Sequence, residues 1–306
     1  MLRFPILIII VGSLSAAPGF AQHPIDIQRL AAEGEYYQAL HAFFELPKRR
    51  ATTETTLAAA RAAWALSLPN KAISYFDTAL ADEALSGTER SRIYLARSII
   101  EYQEERYRVA IVYAERAAAL IPDPAPLRGR VWQIWGDSLY RLASYAAAEK
   151  KYKQAIAELE TEDLPVVNYQ LGVCRRHLGR YDLAREAFEQ VPLNHAFAAD
   201  AVRHLARLAL DSQRYSQARF WLETGRDRFP DSFLDSWVDY ALIRIAIHQG
   251  ESGALAELLR KAEERHPPSD YWLTLAQSAT VAHQWKVLMN RGIKEDVEGK
   301  GAVRLN

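Results

Sequence analysis

The chain is poor in the features that mark catalytic and metal-binding proteins. It has one cysteine, Cys174, so no intramolecular disulfide can form and the fold has to stand on packing. It has no excess of either charge: 38 Lys+Arg stand against 38 Asp+Glu. That balance gives no electrostatic reason to bind nucleic acid or an acidic membrane surface. No GxSxG, GxxxxGK[ST], GxGxxG or HExxH motif occurs. Eight histidines are scattered, and although Cys174 and His177 stand one helical turn apart, no third ligand accompanies them. No metal and no cofactor are therefore expected. Carboxylates such as Glu158, Glu160, Glu162 and Asp163 fall between helices and read as solvated, so no acid–base pair is expected and the chain reads as non-enzymatic. Apolar–polar alternation never persists, while Ala, Leu, Glu, Arg and Gln dominate, which points to helices rather than strands.

The first 21 residues are a different polymer. Arg3 gives a basic start, Phe4 to Val11 form an unbroken apolar run, and small residues precede Gln22. This pattern predicts a secretory signal peptide over 1–21, cut after Ala21. The run is shorter than the roughly 20 apolar residues a membrane span needs. No cysteine lies near the cut, so no lipid or membrane anchor is expected afterwards, and the predicted location is periplasmic or secreted.

What is abundant is a repeat. Trp132 to Ala155 reads as two short helices around a bend at Ala143-Ser144. Trp132, Trp135, Gly136 and Leu139 lie on the leading helix; Tyr145, Ala148, Tyr152 and Ala155 lie on the following one. A glycine inside a helix costs roughly 1 kcal/mol against alanine, so Gly136 predicts a neighbour packed close to the backbone. The Tyr145-x-x-Ala148 signature returns at Tyr36/Ala39, Pro69/Ala72, Tyr107/Ala110, Tyr181/Ala184 and Tyr215/Ala218, with degenerate copies at Ser252/Leu255 and Trp285/Leu288. Successive copies are 33 to 38 residues apart. A second member stands seven residues on, at Phe43, Phe76, Ala114, Tyr152, Phe188 and Leu222, two turns away on the same face.

The Trp–Trp–Gly–Tyr–Ala–Tyr–Ala pattern resembles the tetratricopeptide repeat, a helix–turn–helix unit of about 34 residues. The resemblance implies an all-α, right-handed superhelical solenoid of antiparallel helix pairs. About eight pairs are expected over 22–293, followed by a flexible tail over 294–306. Arg175 departs from the pattern, standing where the family usually carries an apolar residue. Lys150, Lys151 and Lys153 read as solubilising charge on a following helix.

In this family the leading helices line a concave surface that binds a peptide or a partner's helix. Carried onto this chain, the strip facing that surface holds Tyr140, Arg141, Tyr169, Arg176, His177, Arg203, His204, Arg207, Tyr240, Arg244 and His248. Its carboxylates are few (Asp137, Asp200 and Asp211), so the strip reads as a basic, aromatic-dotted face for a protein or peptide, with an acidic one the better match in charge. The Lys/Asn set with which chaperone-binding members clamp a terminal carboxylate is not found. An aromatic cluster, Phe220, Trp221, Phe229, Phe233, Trp237 and Tyr240, reads as core between two units. The expected function is an interaction scaffold of the bacterial cell envelope. The alternative is the helical accessory of a carbohydrate- or peptidoglycan-active envelope system.

Overall fold

The computed structural model describes residues 24–121 and 126–302, the side chains from 26 to 290 within those limits. The predicted signal peptide over 1–21 lies outside the described residues. Two units divide the chain, 1–121 and 122–306.

In the first unit six helices form three pairs: α1 (Pro24–Ala32) with α2 (Tyr36–Glu45), α3 (Thr53–Ala65) with α4 (Pro69–Leu80), and α5 (Gly87–Gln103) with α6 (Tyr107–Ala118). In the second, α7 (Pro126–Arg141) pairs with α8 (Tyr145–Ile156), α9 (Leu164–His177) with α10 (Tyr181–Glu189), α11 (Ala198–Asp211) with α12 (Tyr215–Arg228), and α13 (Ser236–Gln249) with α14 (Ser252–Arg265). One long helix, α15 (Tyr271–Ala302), closes the sequence. Among the described residues there is no strand. Each pair also packs on the next within its unit.

All seven bends are made alike. One residue in the left-handed region stands two places before the following helix: Gly34, Ser67, Glu105, Ala143, Gly179, Gln213 and Gly250, with φ between 57° and 83°. Its successor donates its backbone N–H to a carbonyl five residues back, as Ser144 does to Leu139 and Arg180 to Arg175, each at 2.9 Å. This is the closure that ends helices on a left-handed residue. Four of the seven are not glycine, so local strain is accepted where the two helices are held together by packing.

That packing follows the repeated signature. Ala39, Ala72, Ala110, Ala148, Ala184 and Ala218 are all fully buried, and Phe76, Ala114, Tyr152, Phe188 and Leu222 lie one turn on at 3 % exposure or less. A Cβ built on Gly136 would come within 2.7 Å of the Tyr152 ring, and one on Gly172 within 2.7 Å of Phe188. The small residue on the leading helix and the ring on the following helix are thus one joint. Gly225 makes a third close approach, to Phe233. In the aromatic cluster Phe233 and Trp237 are core as expected, but Phe220 is 58 % exposed.

The chain's end differs from the sequence expectation of an eighth pair and a loose tail. Trp285 and Leu288, expected on a separate following helix, lie inside α15, which continues through Lys294 to Ala302. No proline or left-handed residue interrupts it, so nothing in the backbone makes the bend that the other seven pairs have.

Candidate functional site

The leading helices α7, α9, α11 and α13 supply every residue expected on the binding face. The structure brings a central group together. Arg176, Arg203, Arg207 and His177 all act electrostatically on His204. Arg176 also acts on Tyr140 and Tyr169, and so stands at the middle of the face. Arg141 is exposed at the end of α7 and acts on Tyr140.

The aromatic and imidazole rings are packed against one another. His204 stacks on Phe188 at 4.7 Å, and Tyr169 stacks on Phe197 at 4.8 Å. His177 stacks on Tyr145 at 4.5 Å with 6° between the rings, and Tyr140 meets it edge-on at 5.8 Å. His248 repeats this one pair later but one, lying on Tyr215 at 4.4 Å. Burial, followed by the field of Arg176, Arg207 and Arg203, pushes the His204 pKa down to about 4. Burial and Arg176 also lower that of His177. Both imidazoles are therefore neutral at pH 7, and the charge of the face rests on its arginines. Burial raises the Tyr169 phenol to about 12, which leaves it a hydroxyl donor.

The arginines differ in what holds them. Arg203 pairs with Asp235 at 2.6 Å, donates to the Ser232 carbonyl and lies over the Phe233 and Trp237 rings, so it is engaged within the fold. Arg207 lies over Trp237 at 4.9 Å, and Arg244 over Tyr240 at 5.8 Å. Among the described residues Arg176, Arg207 and Arg244 make no ion pair. Tyr240 packs on Trp272 of α15 at 5.1 Å, and among the described residues no hydrogen bond, ion pair or ring contact joins it, Arg244 or His248 to the Arg176 group. The eleven expected residues therefore separate into a central cluster from α7 to α11 and an outlying set on α13.

Asp137 lies inside this face as well. Its carboxyl accepts from the Tyr152 hydroxyl at 2.9 Å and from Gln170, yet burial outweighs both and raises its pKa to about 7. It is therefore partly protonated at neutral pH and weakens the basic face less than an ordinary aspartate. Next to it the Gln170 carbonyl oxygen and the Arg176 Nε are buried without a hydrogen-bond partner.

Three sequence expectations are corrected by pairings between helices. Arg175 is tolerated among apolar neighbours because it meets Glu149 of α8 at 3.3 Å, where Arg180 and Lys153 also converge. Glu158 is not a solvated carboxylate: Arg128 grips both of its oxygens at 2.8 Å. Lys151 does not project freely; its ammonium lies 3.5 Å over Trp135 and 4.0 Å over Trp132. Cys174 is buried, donates to the Tyr145 carbonyl at 3.0 Å, and has its thiol pushed up to about 11 by burial, so it is packing material.

One feature was not anticipated. In the first unit the leading helices α1, α3 and α5 enclose a cleft of about 630 Å³. Ala31, Leu57, Ala58, Trp64, Ile93 and Ala96 line it, with Arg61 and Arg92 at its edge. Ala31, Ala32, Ala58 and Ala96 are the small side chains in its wall. Its size is that of a cleft for a peptide side chain or a small ligand. Among the described residues no group of His, Cys, Asp or Glu could hold a metal ion, and no helix is long and apolar enough to cross a membrane.

Residues 166–191, which span α9 and α10, match the model of the tetratricopeptide repeat. Comparison with curated proteins finds no match. Among solved structures, the C-terminal part of a TPR repeat-containing protein from Cytophaga hutchinsonii is 15% identical, with a TM-score of 0.67 over 83% of this chain and 99% of that one. The PilF protein of Pseudomonas aeruginosa is 18% identical, with a TM-score of 0.54 over 69% of this chain and 94% of that one. PilW, a widely conserved type IV pilus biogenesis factor, is 17% identical, with a TM-score of 0.51 over 74% of this chain and 98% of that one. Identities this low speak for the fold alone. The chain is an all-helical protein of the tetratricopeptide-like solenoid fold, and residues 166–191 carry the repeat itself.

Proposed function

We propose that the protein is a non-enzymatic scaffold of the bacterial cell envelope, working in the periplasm after removal of residues 1–21, and that it holds an acidic segment of a partner protein on the leading helices of its second unit. The observation that carries this reading is the Arg176 cluster. Among the described residues Arg176 and Arg207 make no ion pair; they stand with Arg203 around a neutral His204, beside Tyr140 and Tyr169. Guanidinium groups hold carboxylates through two parallel hydrogen bonds, and aromatic rings beside them add contact area at little entropic cost. The residues proposed for the contact are Tyr140, Arg141, Tyr169, Arg176, His177, Arg203, His204 and Arg207, with Tyr240, Arg244 and His248 extending it along α13. The envelope setting is supported by the apolar leader-like segment and by the fold shared with PilF and PilW, the latter a pilus biogenesis factor.

The test is paired capture from envelope extracts, with the native chain beside an Arg176→Glu, Arg207→Glu variant. The reading expects a protein with an acidic stretch on the native chain and its loss from the variant. Equal recovery on both would overturn the assignment of the face. A mature chain that still carries Phe4 to Val11, seen by mass spectrometry, would overturn the soluble periplasmic form.

A further inference from the structure

A helix face of a repeat array that no other element covers is normally polar. The outer face of α15 is not. Its inner face, Leu273, Ala276 and Thr280, is buried against the preceding pair. On the opposite side Tyr271, Val281, Trp285, Leu288 and Met289 are exposed at 67%, 51%, 64%, 58% and 64%. At 100° per residue these five fall within about one third of the helix circumference, with Thr274 and Ser278 filling the same stripe. α15 is also 32 residues long against 14 for α13 and α14, so its second half outruns the helices it could pack on.

We propose that this stripe is an interface with a second copy of the same chain, in which two α15 helices pair antiparallel about a two-fold axis near Trp285. The stripe has no charged residue from Tyr271 to Met289, while Lys286 is turned about 100° from its centre. A two-fold contact sets each residue against its own kind of surface, so an uncharged stripe pairs with itself without like-charge repulsion. A partner selected by charge would have nothing to read there. The area agrees. Val281, Trp285, Leu288 and Met289, the side chains around an axis near Trp285, present on the order of 450 Å² per chain, hence just under about 1,000 Å² for the pair, the size of a weak interface. An interface of this size is that of a weak, concentration-dependent dimer. This surface is separate from the Arg176 face, and either proposal can fail without the other.

Sedimentation velocity on the full chain from about 1 to 300 µM tests it. The expected result is a concentration-dependent rise from 34.7 kDa toward twice that mass. Trp285→Glu with Leu288→Glu should stay monomeric throughout with unchanged helical circular dichroism, since both side chains are exposed. Trp285→Cys should cross-link to a dimer under mild oxidation, and Cys174, being buried, should not. A native chain that remains monomeric at every concentration overturns the proposal and leaves the stripe to another protein or a lipid surface. A dimer unaffected by the double substitution overturns it too, placing the interface elsewhere.

Discussion

The Tyr152 hydroxyl donates to the Asp137 carboxyl at 2.9 Å, and the same ring fills the space left by Gly136 one residue earlier. A joint of the fold and a titrating group of the binding face are thereby one contact. Burial raises Asp137 from 3.8 to about 7. The stability it contributes when protonated is fully present below about pH 3.8 and is lost as pH rises through 7. Asp137→Asn, which keeps an acceptor for Tyr152, should gain on the native chain between about pH 4 and 7 and level off above. Thermal unfolding followed across that range checks it; a constant difference would mean the carboxyl is not held protonated.

His204 acts in the opposite sense. Its pKa is depressed from 6.5 to about 4, so its contribution is present above pH 6.5 and is lost as pH falls through 4. In the Asp137→Asn background the melting temperature should therefore fall on acidification across that window. His204 should add nothing to partner binding near pH 6.5, because that imidazole takes up charge only nearer pH 4. NMR titration of the imidazole resonances reads this directly.

Gly136→Ala and Gly172→Ala should each lose about 1–3 kcal/mol, because the new methyl would stand 2.7 Å from a buried ring. Gly253, with nothing within 4 Å, is the control: its change to alanine should be neutral or slightly stabilising. Equal effects at all three positions would refute the close joints.

The bends make a prediction in the other direction. Ala143 and Gln213 sit at φ 57°, a conformation that costs a side-chain-bearing residue about 1–2 kcal/mol. Part of that returns as extra freedom of glycine in the unfolded chain. Ala143→Gly and Gln213→Gly should each stabilise by about 0.5–1 kcal/mol, measured by urea unfolding.

How much of this was legible in the sequence depends on distance along the chain. The bends, the buried alanines and the Gly136–Tyr152 joint are set within 20 residues, and their spacing shows them. Arg175 and Glu149 are 26 residues apart on different helices, and Arg128 of α7 is 30 residues from Glu158 in the turn after α8. Nothing local distinguishes such a carboxylate from a solvated one. The histidine environments were hidden for the same reason: His204 is neutral because Phe188 and three arginines from two helices surround it. Trp285 and Leu288 carried the repeat's spacing, but no bend precedes them, and the backbone followed the missing bend rather than the spacing.

The central claim is that the Arg176 cluster holds an acidic peptide. The direct measurement is fluorescence anisotropy of a labelled Glu/Asp-rich peptide titrated with the protein at 50 and 300 mM salt. The native chain should bind, and bind more weakly at the higher salt, because exposed charges are screened beyond about 8 Å at physiological ionic strength. Arg176→Glu with Arg207→Glu should lose binding at least tenfold while keeping its helical spectrum. Native and variant chains that bind the peptide equally, with the same salt dependence, would contradict the account.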